Sequence, residues 1–237
     1  MSGLPPLAGT TAMADLGWPR RLMPAVFLAG CNLRCHYCIN RELVLGPGTS
    51  LDAEETLRYF RFAREPWLLV TGGEALCNPG IVPLLSRMKK MGFSVALATN
   101  GTRWKLLSEV IRGKLADFVS IDVKTSLSYG RYADLTGQFD KDEFDSIVQT
   151  VDGIRQFDVP REFRTTVCSK YVDLEVLREI AGRIGKGEVL SLQVYTFHQT
   201  ISPELASDKW IVPFETLQEW GAILEKEFGC IAVAREV

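Results

Sequence analysis

Three cysteines crowd into eight residues of this 237-residue chain, in the loop Cys31-Asn32-Leu33-Arg34-Cys35-His36-Tyr37-Cys38. A C-x3-C-x2-C spacing lets three thiolates wrap three corners of an iron–sulfur cubane and leaves the fourth iron without a protein ligand. An open iron can be chelated by a small molecule, here through the amino and carboxylate groups of a methionine moiety. Structural zinc is the competing chemistry. It wants four closed ligands, and His36 or Cys77 would have to serve as the fourth. Cys77, Cys168 and Cys230 share no cluster-like spacing and read as packing residues. Six cysteines in a chain this long are too few for a disulfide scaffold, and crowded cysteines in a reducing compartment usually bind metal.

Short β-rich runs alternate with longer amphipathic stretches, and they are what must position this loop. Strands are predicted at 25–29, 67–71, 94–98, 118–122, 162–167 and 190–195, with helices following at 52–64, 81–91, 103–113, 141–157, 174–184 and 214–228. A last short strand is expected at 231–234. Ser50 or Asp52 can cap the first helix, while Gly92 and Gly113 end the second and third. Six strand–helix units in series call for a parallel sheet with helices outside it, a demand that an open doubly wound sheet and a barrel both meet. The remaining polar clusters, Thr71-Gly72-Gly73-Glu74, Thr99-Asn100-Gly101, Asp122-Val123-Lys124 and Tyr195 to His198, each follow a strand directly. In a β/α barrel those strand ends share one face, where sites are built.

Composition sets the remaining bounds. Hydrophobic residues make up 46% and charged residues 24%, with a net charge of -2, as in ordinary globular proteins. Lys89-Lys90 and Arg20-Arg21 are isolated pairs, so neither a nucleic-acid surface nor an anionic-membrane surface is expected. No apolar run approaches the roughly 20 residues that span a bilayer. Residues 20–31 imitate a lipoprotein signal, but Asp15 and Pro24 spoil it and it would leave Cys35 and Cys38 unexplained. A cytoplasmic location is expected. No linker divides the chain, so 1–237 is expected to be one domain: a leader over 1–23, a barrel core over 24–200, and a C-terminal helix and short strand over 201–237.

The cysteine loop, with Tyr37 as the aromatic before its third cysteine, resembles the signature of the radical S-adenosylmethionine (SAM) superfamily. Gly72-Gly73-Glu74 resembles the Gly-Gly-Glu element with which that family grips the methionine amino group. The resemblance implies a partial (β/α)6 barrel of the TIM type, a [4Fe-4S] cluster and SAM as cofactors, and Cys31, Cys35 and Cys38 as catalytic cluster ligands. Residues 7–15 and 26–35, Ala98-Thr99-Asn100-Gly101, Asp122-Val123-Lys124 and 163–167 are similar to anaerobic ribonucleotide reductase activating proteins, and less closely to pyruvate formate-lyase activating enzyme. That branch implies a glycyl radical enzyme as protein substrate and a flavodoxin- or ferredoxin-type electron donor. It also gives physical roles to the polar residues. Lys124 would hold the SAM carboxylate as a point charge, Asn100 would offer it donor and acceptor, and His198 would touch the ribose. Arg164 would pair with a carboxylate or with the partner protein, and Asp122 with Lys124 or a monovalent cation. The chain departs from the pattern at Ala98, where relatives carry an acidic residue, at Ala75 in place of proline, and at Ile39-Asn40 in place of His-Asn. Two alternatives stay open: a radical SAM enzyme acting on a small molecule, in the manner of 7-carboxy-7-deazaguanine synthase, and a non-catalytic zinc protein.

Overall fold

The aliphatic and β-branched runs assemble into one eight-stranded sheet whose order in space is its order in sequence. The computed structural model describes residues 4–16, 21–46, 48–137, 139–197 and 199–236. Its strands are β1 Gly9–Leu16, β2 Arg21–Leu28, β3 Trp67–Gly72, β4 Ser94–Thr99, β5 Phe118–Asp122, β6 Arg161–Val167, β7 Val189–Val194 and β8 Ile231–Arg235. β2 to β8 run parallel, and β1 returns antiparallel along β2. No ladder joins β8 to β1 among the described residues, yet Arg235 Nη1 lies 3.5 Å from the Asp15 carbonyl oxygen across the gap. The sheet therefore curls into a partial barrel with an open seam, the expected α/β architecture with six β/α units.

The helices are α1 Arg41–Leu45, α2 Ala53–Phe62, α3 Ile81–Lys90, α4 Trp104–Arg112, α5 Tyr129–Thr136, α6 Lys141–Gly153, α7 Leu174–Ile184 and α8 Phe214–Phe228. Because strand side chains alternate between faces, Val70, Leu97, Ile121 and Phe163 point outward and pack in one core with Leu57, Leu84, Leu107 and Leu177 of the helices. The inward set is smaller, with Leu16, Met23, Ala25, Leu69, Ala96 and Phe118 plugging one end of the barrel. Beside them the Glu162 carboxylate accepts from Ser120 Oγ at 2.7 Å and Ser191 Oγ at 2.6 Å, tying β5, β6 and β7 together. Asp52, Asp140 and Asp173 cap α2, α6 and α7 by accepting from backbone N–H groups. Among the described residues no helix is long and apolar enough to cross a membrane.

Three features differ from the expected pattern. β1 lies in the segment read as a leader, because its Thr-Thr-Ala-Met-Ala run shows no clean alternation and half of it is exposed. The helix expected over 141–157 stops at Gly153 and continues as a tight 3-10 turn, Ile154–Gln156. The Trp104 ring lies 2.6 Å from where a Cβ on Gly153 would sit. α5 is short and carries Gly130 in its first turn, which hid it from any periodicity argument.

α7 separates capping from burial. Asp173→Ala should lower stability by about 1 kcal/mol, and Leu177→Ala, which empties a fully buried position, by about 2–5 kcal/mol. Denaturant unfolding under anaerobic conditions reads both. Equal losses would mean that the α7–sheet contact is not the packed core described above.

Candidate active site

The cysteine loop follows β2, and a backbone contact fixes its start. The Gly73 N–H donates to the Leu28 carbonyl at 2.9 Å, and the Glu74 N–H donates to the Gly30 carbonyl at 2.8 Å. A Cβ on Gly72 would sit 2.2 Å from the Leu28 oxygen, and one on Gly73 1.9 Å from the Gly30 oxygen. Only glycine lets the β3 loop lie this close to the cysteine loop. Glu74 is buried, and its carboxylate is occupied by the protein itself, accepting from Leu76 N at 3.0 Å, Thr99 Oγ1 at 2.9 Å and Asn100 N at 2.6 Å. The Gly-Gly-Glu element thus locks the β2, β3 and β4 loops together, and Gly72 and Gly73 face the cavity.

The far side of the loop is braced by elements that sequence reasoning missed. His36 N–H donates to Leu135 O of α5 at 3.0 Å, Ile201 N–H to Cys38 O at 3.2 Å, and Ser202 N–H to His36 O at 2.9 Å. Leu33, Cys35 and Tyr37 are buried with Leu135, Cys168, Tyr195 and Leu205. The Tyr37 ring stands 6.3 Å from both the Tyr171 and Tyr195 rings. On the near side, Asn32 Nδ2 donates to Thr102 Oγ1 at 2.9 Å and Glu143 Oε1 at 2.8 Å, and Asn100 Nδ2 donates to Asn32 Oδ1 at 3.1 Å. No sequence signal could have paired Leu135 or Ser202 with His36, since those bonds use main-chain atoms only.

Cys31, Cys35 and Cys38 line one cavity of about 100 Å³, together with Asn100, Asp122, Lys124 and Arg164. Asn100 Nδ2 approaches Cys31 Sγ at 3.9 Å. Asp122 sits between two cations, 3.3 Å from Lys124 Nζ and 2.6 Å from Arg164 Nε. Burial opposes its charge, but Arg164 and then Lys124 override that and hold its carboxyl well below the ordinary range. Burial likewise opposes the charge of Lys124, and Asp122 reverses the outcome, raising it well above the usual lysine value. Lys124 and Arg164 share the one carboxylate of Asp122 and keep N–H donors for an anionic ligand, while Glu74, the other carboxylate lining the cavity, is taken up by Leu76, Thr99 and Asn100.

Burial pushes the thiols up, Cys31 to about 11 and Cys35 to about 12. Buried thiols of this kind are inert unless a metal stabilises the thiolate. Among the described residues no fourth cysteine and no histidine lines the cavity. His36 turns away, its Nδ1 lying 3.1 Å from Tyr171 Oη, and Cys77 does not line the cavity. Among the described residues no three His, Cys, Asp or Glu side chains converge on a point that would hold a single metal ion. A closed zinc site needs such convergence, whereas a cubane takes each thiolate on a separate iron. The donor set fits a cluster with one open iron.

Of the residues singled out from sequence, Tyr37, Gly72, Gly73, Glu74, Asn100, Asp122, Lys124 and Arg164 meet the three cysteines at this cavity. His198 lies outside the described residues. Ala98, where the resemblance implied an acidic residue, lines the cavity. Cys168 and Cys230 are buried, and Cys77 is half-buried.

The sequence profile of the Radical SAM superfamily matches residues 26–188. A Methanocaldococcus jannaschii protein, provisionally assigned as a glycyl-radical enzyme activating enzyme, is 28% identical over 231 residues, covering 96% of this chain and 95% of that one. The pyruvate formate-lyase-activating enzyme of Clostridium pasteurianum is 32% identical over 139 residues, 54% of this chain and 56% of that one. Streptococcus suis SuiB, solved with its precursor peptide SuiA, superposes with a TM-score of 0.68 at 14% identity, over 89% of this chain and 48% of that one. That last likeness concerns the fold alone.

The contact of Gly73 with Gly30 makes a sharp prediction. Gly73→Ala should strip the reconstituted protein of most of its iron although it removes no ligand. Gly130→Ala, where a Cβ meets nothing within 4 Å, should keep it. Iron content after anaerobic reconstitution is the measurement, and a Gly73→Ala protein with its full iron complement would show that the close approach does not hold the loop.

Proposed function

The chain belongs to the radical SAM superfamily, whose cofactors are a [4Fe-4S] cluster and SAM, and on that premise we propose that it is a glycyl-radical-enzyme activase. The observation that carries the reading is the donor set: three loop thiols at one cavity, with no fourth cysteine and no histidine among the described residues that line it, and with Lys124 and Asn100 on its wall. The choice of branch is supported by the M. jannaschii relative, which matches across nearly the whole length of both chains. In this reading Cys31, Cys35 and Cys38 hold three irons of the cluster, and the methionine end of SAM chelates the fourth. Lys124 holds the SAM carboxylate while Asp122 and Arg164 fix the position of its amine. Asn100 faces the same ligand and, through Asn32, keeps the cysteine loop in register with it. Gly72 and Gly73 let the ligand approach the backbone.

Bound there, cluster and SAM would supply a one-electron reductive cleavage of the C5′–S bond and, through it, the removal of one hydrogen atom from a glycine Cα, with methionine and 5′-deoxyadenosine as the products. The electron comes from a flavodoxin- or ferredoxin-type donor. The partner best matched by the sequence resemblance is an anaerobic ribonucleotide reductase. Around the reacting atoms the buried Tyr37, Tyr195 and Leu33 exclude water, which keeps a reactive radical from side reactions.

Two outcomes follow. Lys124→Ala should weaken SAM binding roughly ten- to a hundredfold, the worth of one charge-assisted contact at about 1.5–3 kcal/mol, with iron retained. Asn100→Ala should weaken SAM binding and also lower iron retention, because it frees Asn32. Calorimetric titration and iron content under nitrogen separate the two; unchanged SAM affinity in Lys124→Ala misplaces the ligand. The function itself is read by mixing reduced enzyme, SAM and a candidate anaerobic ribonucleotide reductase from the same organism. A carbon-centred doublet in the electron paramagnetic resonance spectrum is expected, and it should vanish when the partner's radical-bearing glycine is replaced by alanine. SAM cleavage that follows a metabolite, with no radical on any glycyl-radical protein of that organism, would overturn the activase reading.

A further inference from the structure

A second cavity, of about 420 Å³, shares walls with the first at Tyr37, Cys38, Asp122, Lys124 and Arg164. It extends inside the half-barrel to the open seam, where Met13 and Asp15 of β1 face Gln193 of β7 and Arg235 of β8. Arg235 is only 4% exposed. A guanidinium carries five N–H donors, yet its contacts here are at the outer limit of hydrogen bonding, 3.5 Å to Asp15 O and 3.4 Å to Gln193 Oε1.

Among the described residues no carboxylate forms an ion pair with Arg235, although Glu162, Asp15 and Asp122 stand near enough to attract it. Asp122 is shared by Lys124 and Arg164, and Glu162 is held by two serine hydroxyls. Asp15 gives Arg235 its backbone carbonyl, and Glu236 is exposed at the rim. Burial, and next the repulsion of Arg164, pull Arg235 below the ordinary arginine value. A buried cation in that state is costly unless an anion meets it. The fork of an arginine fits a carboxylate in two parallel bonds. The rim of the cavity is apolar: Met13 is 70% exposed, and Ile39, next to Cys38, is 38% exposed. Exposed apolar groups around a polar pocket suit a polypeptide that covers them.

We propose that this cavity receives the glycine-bearing segment of the protein substrate and that Arg235 binds a carboxylate of that segment, from an acidic side chain or from the chain's C-terminus. The proposal rests on the activase reading and adds the group that seats the substrate. Arg235 is then a substrate-anchoring residue at the seam, remote in sequence from every cofactor motif.

The test uses cluster-loaded, SAM-saturated protein as wild type, Arg235→Gln and Arg235→Lys, with iron content and SAM affinity read on each sample. The probes are peptides centred on the glycine of the candidate glycyl-radical protein. Each carboxylate is neutralised in turn, by Asp→Asn, Glu→Gln or C-terminal amidation, which tells side chain from terminus. One neutralisation should weaken wild-type binding about tenfold or more, should have no effect on Arg235→Gln, and should keep part of its effect on Arg235→Lys. Equal binding of all peptides by wild type and Arg235→Gln would overturn the anchor. If no peptide binds wild type, succinate serves as the probe. Succinate binding that is lost in Arg235→Gln would uphold the carboxylate anchor while refuting the activase reading and the peptide occupant. No carboxylate binding of either kind would overturn the proposal entirely.

Discussion

The approach of the Gly73 backbone to the Gly30 carbonyl is the constraint on which the site depends. A loop carrying three thiols has no regular structure to hold it, so its main-chain groups must find partners elsewhere. Gly73 and Glu74 provide them at the start of the loop, and Leu135, Ile201 and Ser202 provide them at its end. Glu74 extends the same lock to the third strand end through Thr99 and Asn100. The thiols are thus fixed from the barrel mouth on one side and from helix α5 and the 199–205 segment on the other. Such support from several elements is what keeps a reactive centre within the narrow tolerance its chemistry needs.

Charge is organised around the same loop. Buried ion pairs often contribute little to stability, because desolvation offsets the attraction. Lys124 and Arg164 make better sense as donors held toward a ligand by Asp122 than as a stabilising bridge. Facing them, three thiols raised by burial favour the protonated state until metal displaces the protons. A cluster would therefore take the thiols as thiolates, and an anionic ligand the N–H donors that Asp122 leaves over on Lys124 and Arg164. Arg235 extends the same principle to the seam, where the half-barrel stays open and, among the described residues, no carboxylate pairs with the buried cation.

Much of this was legible in the residue order. The six strand–helix units, the short strand at 231–234 and the cap at Asp52 follow from periodicity and capping chemistry, and the polar clusters fell at strand ends where a barrel mouth collects them. β1 was not legible, since an edge strand half in solvent shows no clean alternation and Met13 stands exposed on it. α5 was hidden by its length and by Gly130. The support of His36 by Leu135 and Ser202 is carried by main-chain atoms and leaves no mark on side-chain type. Arg235 was invisible for another reason. Its meaning lies in what meets it, Asp15 across the seam and Gln193 on the neighbouring strand, and no local pattern in the last strand announces that geometry.

The central claim is that three thiolates, and only these three, hold one cluster at this cavity. Iron and sulfide counts on the six single Cys→Ala proteins, reconstituted anaerobically, test it most directly. Cys31→Ala, Cys35→Ala and Cys38→Ala should lose the cluster, while Cys77→Ala, Cys168→Ala and Cys230→Ala should keep the full complement of the unsubstituted protein. A cluster retained without one of the loop cysteines, or lost on replacing Cys77, would contradict the account.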